Sequence, residues 1–213
     1  MPINKIDTDY EEKMLSKLGI SYNGLTWCEL GNTTFYNSYA FSGVPATDIM
    51  PAKQMYEAKG VKHTSIDING RSGALPLNLD NPVPADLENK FDVVTNYGTT
   101  EHVDNQYSSF KNIHVMCKAG GVMLHGLSLV GNWPKHCRYY YSEQFFRGLA
   151  AVCDYEVVDV TILNTGFYTF PRNAIVCALR KQQNNAFIST IKFSTTKGMQ
   201  DTKNIKKTGN YQH

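Results

Sequence analysis

The sequence predicts an α/β fold in three layers: a mostly parallel β-sheet covered by helices on both faces and closed at one end by an antiparallel hairpin. Three observations lead there. Phe91-Asp92-Val93-Val94-Thr95-Asn96-Tyr97 has the apolar centre of a strand buried in a parallel sheet, and it stops at Gly98. Strand-like and helix-like runs alternate along most of the chain. The last two strand-like runs, residues 155–163 and 173–179, are joined by turn-rich sequence without a helix, so they must pair antiparallel.

Taken in order, residues 10–19 read as a short amphipathic helix with Met14, Leu15 and Leu18 as its stripe and Gly19 as its stop. Residues 26–30 form a first strand, broken at Gly31. The Asn-, Thr- and Ser-rich stretch 32–45 reads as loop. Residues 48–59 are a helix with Met50, Met55 and Ala58 inward, and 63–68 a second strand. Residues 74–79 are a third, short strand before the turn Asp80-Asn81-Pro82. Only residues 69–73 join the second and third strands, too few for a crossover helix, so a helix is missing there or the third strand is misassigned. Residues 91–96 are the fourth strand. Residues 106–117 make a helix with Phe110, Ile113 and Met116 or Cys117 on one face, and 122–127 the fifth strand. Ser142 is placed to cap a helix over 143–152 with Phe145, Phe146 and Leu149 inward.

With 213 residues, 42% of them hydrophobic and 19% charged, the chain suits one domain and is neither disordered nor membrane-spanning in character. Five cysteines, odd in number and without a CxxC, read as reduced core thiols, which sets the expectation of a cytoplasmic protein without a signal peptide. The net charge of +2 is too small to argue for nucleic acid. The domain is expected to span 1–181, leaving the polar, basic stretch 182–213 as a poorly ordered tail.

Ligands of open α/β sheets sit outside the carboxyl ends of the strands, so the strand ends carry the chemistry. Glu29-Leu30-Gly31-Asn32 ends the first strand in a turn small enough for backbone to approach a ligand, or is simply a turn. Asp67 ends the second and can accept bonds from two ribose hydroxyls, or initiate a turn; Ile68 beside it can cover an adenine face. Leu79 and Asp80 follow the third strand, where Asp80 flanks a base or makes an Asx turn. Asn96, Gly98, Glu101 and His102 follow the fourth. The loop after the fifth strand holds Trp133, Lys135, His136, Arg138 and Tyr140, able to wall an apolar or anionic acceptor or to pack as a lid.

The order Phe91-Asp92-Val93-Val94 to Glu101-His102-Val103, with Lys118 to Gly126 as helix end, glycine pair and fifth strand, resembles class I S-adenosylmethionine-dependent methyltransferases of the FDVV…EHV type over roughly residues 25–180. The resemblance implies a Rossmann-like, mostly parallel seven-strand sheet with a terminal hairpin, S-adenosylmethionine as cofactor and methyl transfer as activity. It further implies cofactor contacts from Glu29, Gly31, Asn32, Asp67, Ile68, Leu79, Asp80, Asn96, Gly98 and Glu101, substrate contacts from Trp133, Arg138 and Tyr140, and His102 or His136 as the group that takes or orients a proton. Against the family's (D/E)xGxGxG loop only Glu29 and Gly31 match. A small-molecule acceptor leads, with nucleic acid or protein open, and no membrane partner. Two other classes compete: a non-catalytic adenosyl-binding or partner-binding protein, favoured by the reduced glycine loop, and an NAD-dependent oxidoreductase, disfavoured by the missing GxGxxG. His102, His114, His125 and His136 recur at near-regular intervals but fall after a strand, in a helix, in a strand and in a loop, so no metal is expected.

Overall fold

The computed structural model describes residues 2–40, 43–164 and 173–208. It opens with β1 (Ile3–Asn4) and α1 (Lys5–Lys17). A capping box starts α1: the Asn4 side chain accepts the Ile6 N–H at 2.8 Å and Asp7 accepts the Asn4 N–H at 2.9 Å. The helix therefore begins ahead of the expected 10–19, because polar capping rather than the apolar stripe sets its first turn. Next come β2 (Thr26–Leu30), β3 (Thr34–Tyr36), β4 (Ile49–Pro51), α2 (Ala52–Ala58) and β5 (Lys62–Ile66). They are followed by β6 (Phe91–Tyr97), α3 (Gln106–Met116), β7 (Cys117–Ser128), β8 (Tyr139–Tyr141) and α4 (Glu143–Cys153). The chain closes with β9 (Tyr155–Asn164), β10 (Asn173–Lys181), α5 (Thr190–Ser194) and β11 (Met199–Asp201).

Six strands make the main sheet in the order β5-β2-β6-β7-β10-β9. The first four are parallel; β10 runs antiparallel to both β7 and β9, so the closing hairpin stands as expected. Side chains alternate between two cores. Cys28, Leu30 and Val94 face α3 and α4 beside Phe110, Phe145 and Phe146; Trp27, Val93 and Tyr97 face α1 and α2 beside Met14, Leu15 and Tyr56. Each buried aromatic adds on the order of 2–3 kcal/mol by leaving water. The result is a three-layer α/β sandwich.

The expected seventh strand, residues 74–79, is absent. Leu75 makes a single parallel bridge to Ile66, and the segment otherwise runs as irregular chain. The five-residue connection explains this: without a crossover helix, a full parallel strand cannot be brought alongside β5. The stretch 32–45 is not all loop, since β3 joins β1 and β4 in a small second sheet. The expected helix 48–59 starts only at Ala52, because Pro51 is extended (φ −55°, ψ 134°) and disfavours helix in Met50 before it; Ala58 faces solvent.

The stretch 182–208, expected to be a poorly ordered tail, returns across the domain; residues 209–213 lie outside the described residues. β11 pairs antiparallel with β8. Phe193 is buried against Tyr107, Phe110 and Phe145, and the His114 Nε2–H donates to the Asn185 carbonyl at 2.7 Å. Average composition hid two aromatic anchors, Phe187 and Phe193, which suffice to dock a polar segment. Phe193→Ala should cost about 3 kcal/mol in urea unfolding. Ile191→Ala, at a side chain 75% exposed, should stay within ~0.5 kcal/mol. Equal losses would contradict the docking.

Candidate active site

The carboxyl ends of β5, β2, β6 and β7 meet at one rim. After β2 the chain turns at Gly31 with φ +89°, and a Cβ there would lie 2.8 Å from Thr99 Oγ1, so a larger residue meets both strain and collision. The Gly31 N–H donates to the Ile66 carbonyl at 2.7 Å, and Thr99 donates its hydroxyl to the Leu30 carbonyl at 2.7 Å. Asp67 lies at this rim, half-buried. Its carboxylate accepts the Asn32 N–H and the Asn69 N–H, each at 3.0 Å, and Asn32 also donates its amide to the Arg71 carbonyl. Ile68 beside it is exposed. Asp67 and the glycine turn are thus joined directly, while the Asx turn weighed as the alternative for Asp67 is also formed.

Other expected cofactor residues face inward. Glu29 is buried on the α1/α2 side of β2, with His63 Nε2 3.2 Å from its carboxylate. Burial holds the Glu29 carboxyl above its usual range despite opposing contacts with His63 and Thr33. Leu79 belongs to the core, and its carbonyl accepts the Asn112 amide. Asn96 is fully buried: its amide donates to Thr100 Oγ1 at 2.9 Å and His125 Nδ1 at 3.1 Å, and its carbonyl accepts the Thr100 N–H. Asn96 holds the turn after β6, with Gly98 at φ +63° beside it. Asp80 accepts the Asn105 N–H at 2.7 Å at the start of α3 and lines a surface groove with Asp104, Arg138 and Asp201.

The opposite part of the rim centres on Glu101, which has no solvent exposure. One carboxylate oxygen accepts the Ser128 N–H at 2.7 Å; the other accepts the Ser128 hydroxyl at 3.1 Å and faces His136 Nε2 at 3.2 Å and His102 Nε2 at 3.5 Å. Burial opposes ionisation, but contacts from His136, His102 and Ser128 outweigh it and hold Glu101 below the usual carboxyl range. Burial lowers His102 to about 4, against the opposing pull of the Glu101 carboxylate and the Lys207 carbonyl. Its Nδ1 lies 2.9 Å from the Lys207 carbonyl, which can only accept; Nδ1 therefore carries the proton and Nε2 points at Glu101.

The loop after β7 is braced by Tyr140, whose hydroxyl donates to the Trp133 carbonyl at 2.7 Å and accepts the His136 and Cys137 N–H groups. Trp133 is buried and donates its indole N–H to the Asn173 carbonyl at 2.8 Å. Arg138 bonds Asp201 through two nitrogens at 3.0 Å and also pairs with Asp104, so its guanidinium is committed within the chain. Of the loop residues expected to touch an acceptor, only His136 thus reaches the Glu101 cluster. Of the four histidines on separate elements, His102 and His136 meet at the sheet rim, whereas His114 and His125 pack elsewhere. Ser128, His63 and the Lys207 carbonyl were not singled out from sequence. Ser128 ends a strand and was open to the same reasoning as Asp67, whereas a backbone carbonyl leaves no residue-type signal.

His125 accepts the Asn96 amide and is pushed by burial down to about 3. Protonating it would set donor against donor, so the protonated form favours the unfolded chain. Its contribution to stability is complete above the ordinary imidazole value of ~6.5 and is lost as pH falls toward about 3. The His125 ring signals in NMR should therefore stay fixed from about pH 7 to pH 5, and movement there would refute the buried neutral state.

No family model and no curated protein matches the sequence. Solved structures match in fold. Burkholderia thailandensis 1,6-didemethyltoxoflavin-N1-methyltransferase, with bound 1,6-didemethyltoxoflavin and S-adenosylhomocysteine, aligns at TM-score 0.57 and 12% identity over 82% of this chain and 77% of that one. The 4+2 cyclase SpnF aligns at TM-score 0.56 and 12% identity over 83% and 82%. A single-site variant of the Catenulisporales acidiphilia 16S rRNA (adenine(1408)-N(1))-methyltransferase, with cosubstrate SAM, aligns at 0.51 and 10% identity over 82% and 92%. Parallel strands closed by an antiparallel pair, together with these likenesses, give this chain the fold of class I S-adenosylmethionine-dependent methyltransferases.

Proposed function

We propose that the chain transfers a methyl group from S-adenosylmethionine to an acceptor, with a small molecule as the leading class. The observation that carries this reading is the 3.0 Å bond from the Asn32 N–H to Asp67, which ties the acid at the end of β5 to the glycine turn after β2. A carboxylate has about four lone-pair positions, so two backbone bonds leave Asp67 capacity for two ribose hydroxyls. The exposed Ile68 side chain suits an adenine face, and Gly31 and Asn32 present backbone to the methionine portion. Asp80 stands at the margin toward α3. Glu29, Leu79, Asn96 and Gly98 act beneath the site as its scaffold.

When bound, S-adenosylmethionine supplies a methyl group already made electrophilic by the sulfonium, so the protein's share is alignment and exclusion of water. The acceptor side is assigned to Glu101, His102 and His136. Glu101 stays ionised and orients the imidazoles, and an imidazole Nε2 there accepts or positions the proton of an acceptor hydroxyl or amine. Trp133, Arg138 and Tyr140 shape the surrounding wall by holding the loop.

A second reading, cofactor binding without turnover, is favoured by one observation: after Gly31, against which the Thr99 hydroxyl packs, Asn32, Thr33, Thr34 and Phe35 stand where the family pattern has further glycines. Calorimetry separates the outcomes. S-adenosylhomocysteine should bind with micromolar affinity, about 8 kcal/mol, and Asp67→Asn should weaken binding roughly tenfold or more. No heat at millimolar ligand would sink both readings. Binding with no methyl transfer across a broad acceptor panel would select the second.

A further inference from the structure

Glu101, His102 and His136 are the group of three metal-binding side chains that comes together among the described residues, with donor atoms all within 4.8 Å of one another. We propose that these three side chains form a binding site for a divalent transition-metal ion, of the zinc or iron class. The inference goes beyond methyl transfer and does not depend on it.

Donor geometry is the first argument. At zinc bond lengths of ~2.0–2.1 Å, two ligands of a tetrahedral ion lie roughly 3.3 Å apart. Glu101 Oε1 lies 3.2 Å from His136 Nε2 and 3.5 Å from His102 Nε2, close to that edge on both sides. The orientation of His102 is the second. Its Nδ1 lies 2.9 Å from the Lys207 carbonyl, which fixes the ring with Nε2 toward the Glu101 oxygen that His136 Nε2 also faces.

The surroundings are the third argument. Metal-bound histidines characteristically donate their other nitrogen to a carbonyl, and ligating carboxylates are themselves hydrogen-bonded. Lys207 does the first for His102, and Ser128 does the second for Glu101 through both its N–H and its hydroxyl. Two imidazoles with one carboxylate select a transition ion over magnesium or calcium, which prefer all-oxygen sites. Cys137, next to His136, donates its thiol to the Tyr139 carbonyl at 3.0 Å and is left out of the ligand set. Three protein ligands leave room in the coordination sphere for water or another oxygen ligand.

The test uses the full chain stripped with a chelator, dialysed and titrated with Co²⁺, with Zn²⁺ as competitor and no methyl donor present. One equivalent of Co²⁺ with visible d–d absorption, displaced by Zn²⁺ but not by Mg²⁺, is expected. His102→Ala and His136→Ala should each weaken binding roughly tenfold or more with unchanged circular dichroism, and Cys137→Ser should not. If a histidine variant fails to fold, X-ray absorption at the zinc edge of the unaltered protein reads the ligands directly: two imidazoles and oxygen support the site. No saturable binding, equal binding by all variants, displacement by Mg²⁺, or a sulfur ligand would overturn it. None of these readouts depends on S-adenosylhomocysteine binding, so failure of the metal site and failure of methyl transfer are separately visible.

Discussion

A fully buried carboxylate must be met by donors or cations, and Glu101 imposes that requirement on the whole carboxyl rim of the sheet. It sits in the short turn after β6, held there by the Asn96 and Thr100 bonds, and it draws Ser128 from the end of β7 through two hydrogen bonds. His102 and His136 then approach the same oxygen from two separate loops. Lys207 arrives from the far end of the chain to set the tautomer of His102. Three stretches of sequence, around residues 96–102, 128–136 and 207, are organised around one negative charge.

The other buried acids of the domain show how much depends on partners. Burial raises Glu11 to about 7 and Asp7 to about 6, because the Tyr56 and Tyr97 hydroxyls and nearby backbone amides only partly offset desolvation. Glu29, one strand from Glu101, is likewise raised, with His63 as its main counterweight. Glu101 alone among these four is lowered. The contrast separates acids that serve the interior of the α1/α2 layer from one that is kept ionised at the rim.

The alternating strands and helices, the terminal hairpin and the inward faces of α3 and α4 were legible because hydrophobic periodicity reports burial locally. Phe110, Ile113, Phe145, Phe146 and Leu149 all pack as that periodicity requires. The third strand was misread because a short apolar run says nothing of whether a neighbour can pair with it; the connection of residues 69–73 was the better guide. The stretch 182–208 was misread because composition averages over Phe187 and Phe193, whose docking depends on a groove made by α3 and α4.

For the site, residue chemistry and strand-end position marked Gly31, Asp67, Glu101, His102 and His136, and those follow from sequence through short-range rules. Which of the marked residues stand at the rim and which turn inward does not. Asn96 and Leu79 turned into the interior, Arg138 was claimed by Asp104 and Asp201, and Tyr140 was spent on its own loop. Those outcomes depend on contacts between segments tens of residues apart, which carry no local periodicity. Local order was written along the chain; the meeting of two histidines over one carboxylate came from packing, because a sheet brings the ends of its strands together whatever their separation in sequence.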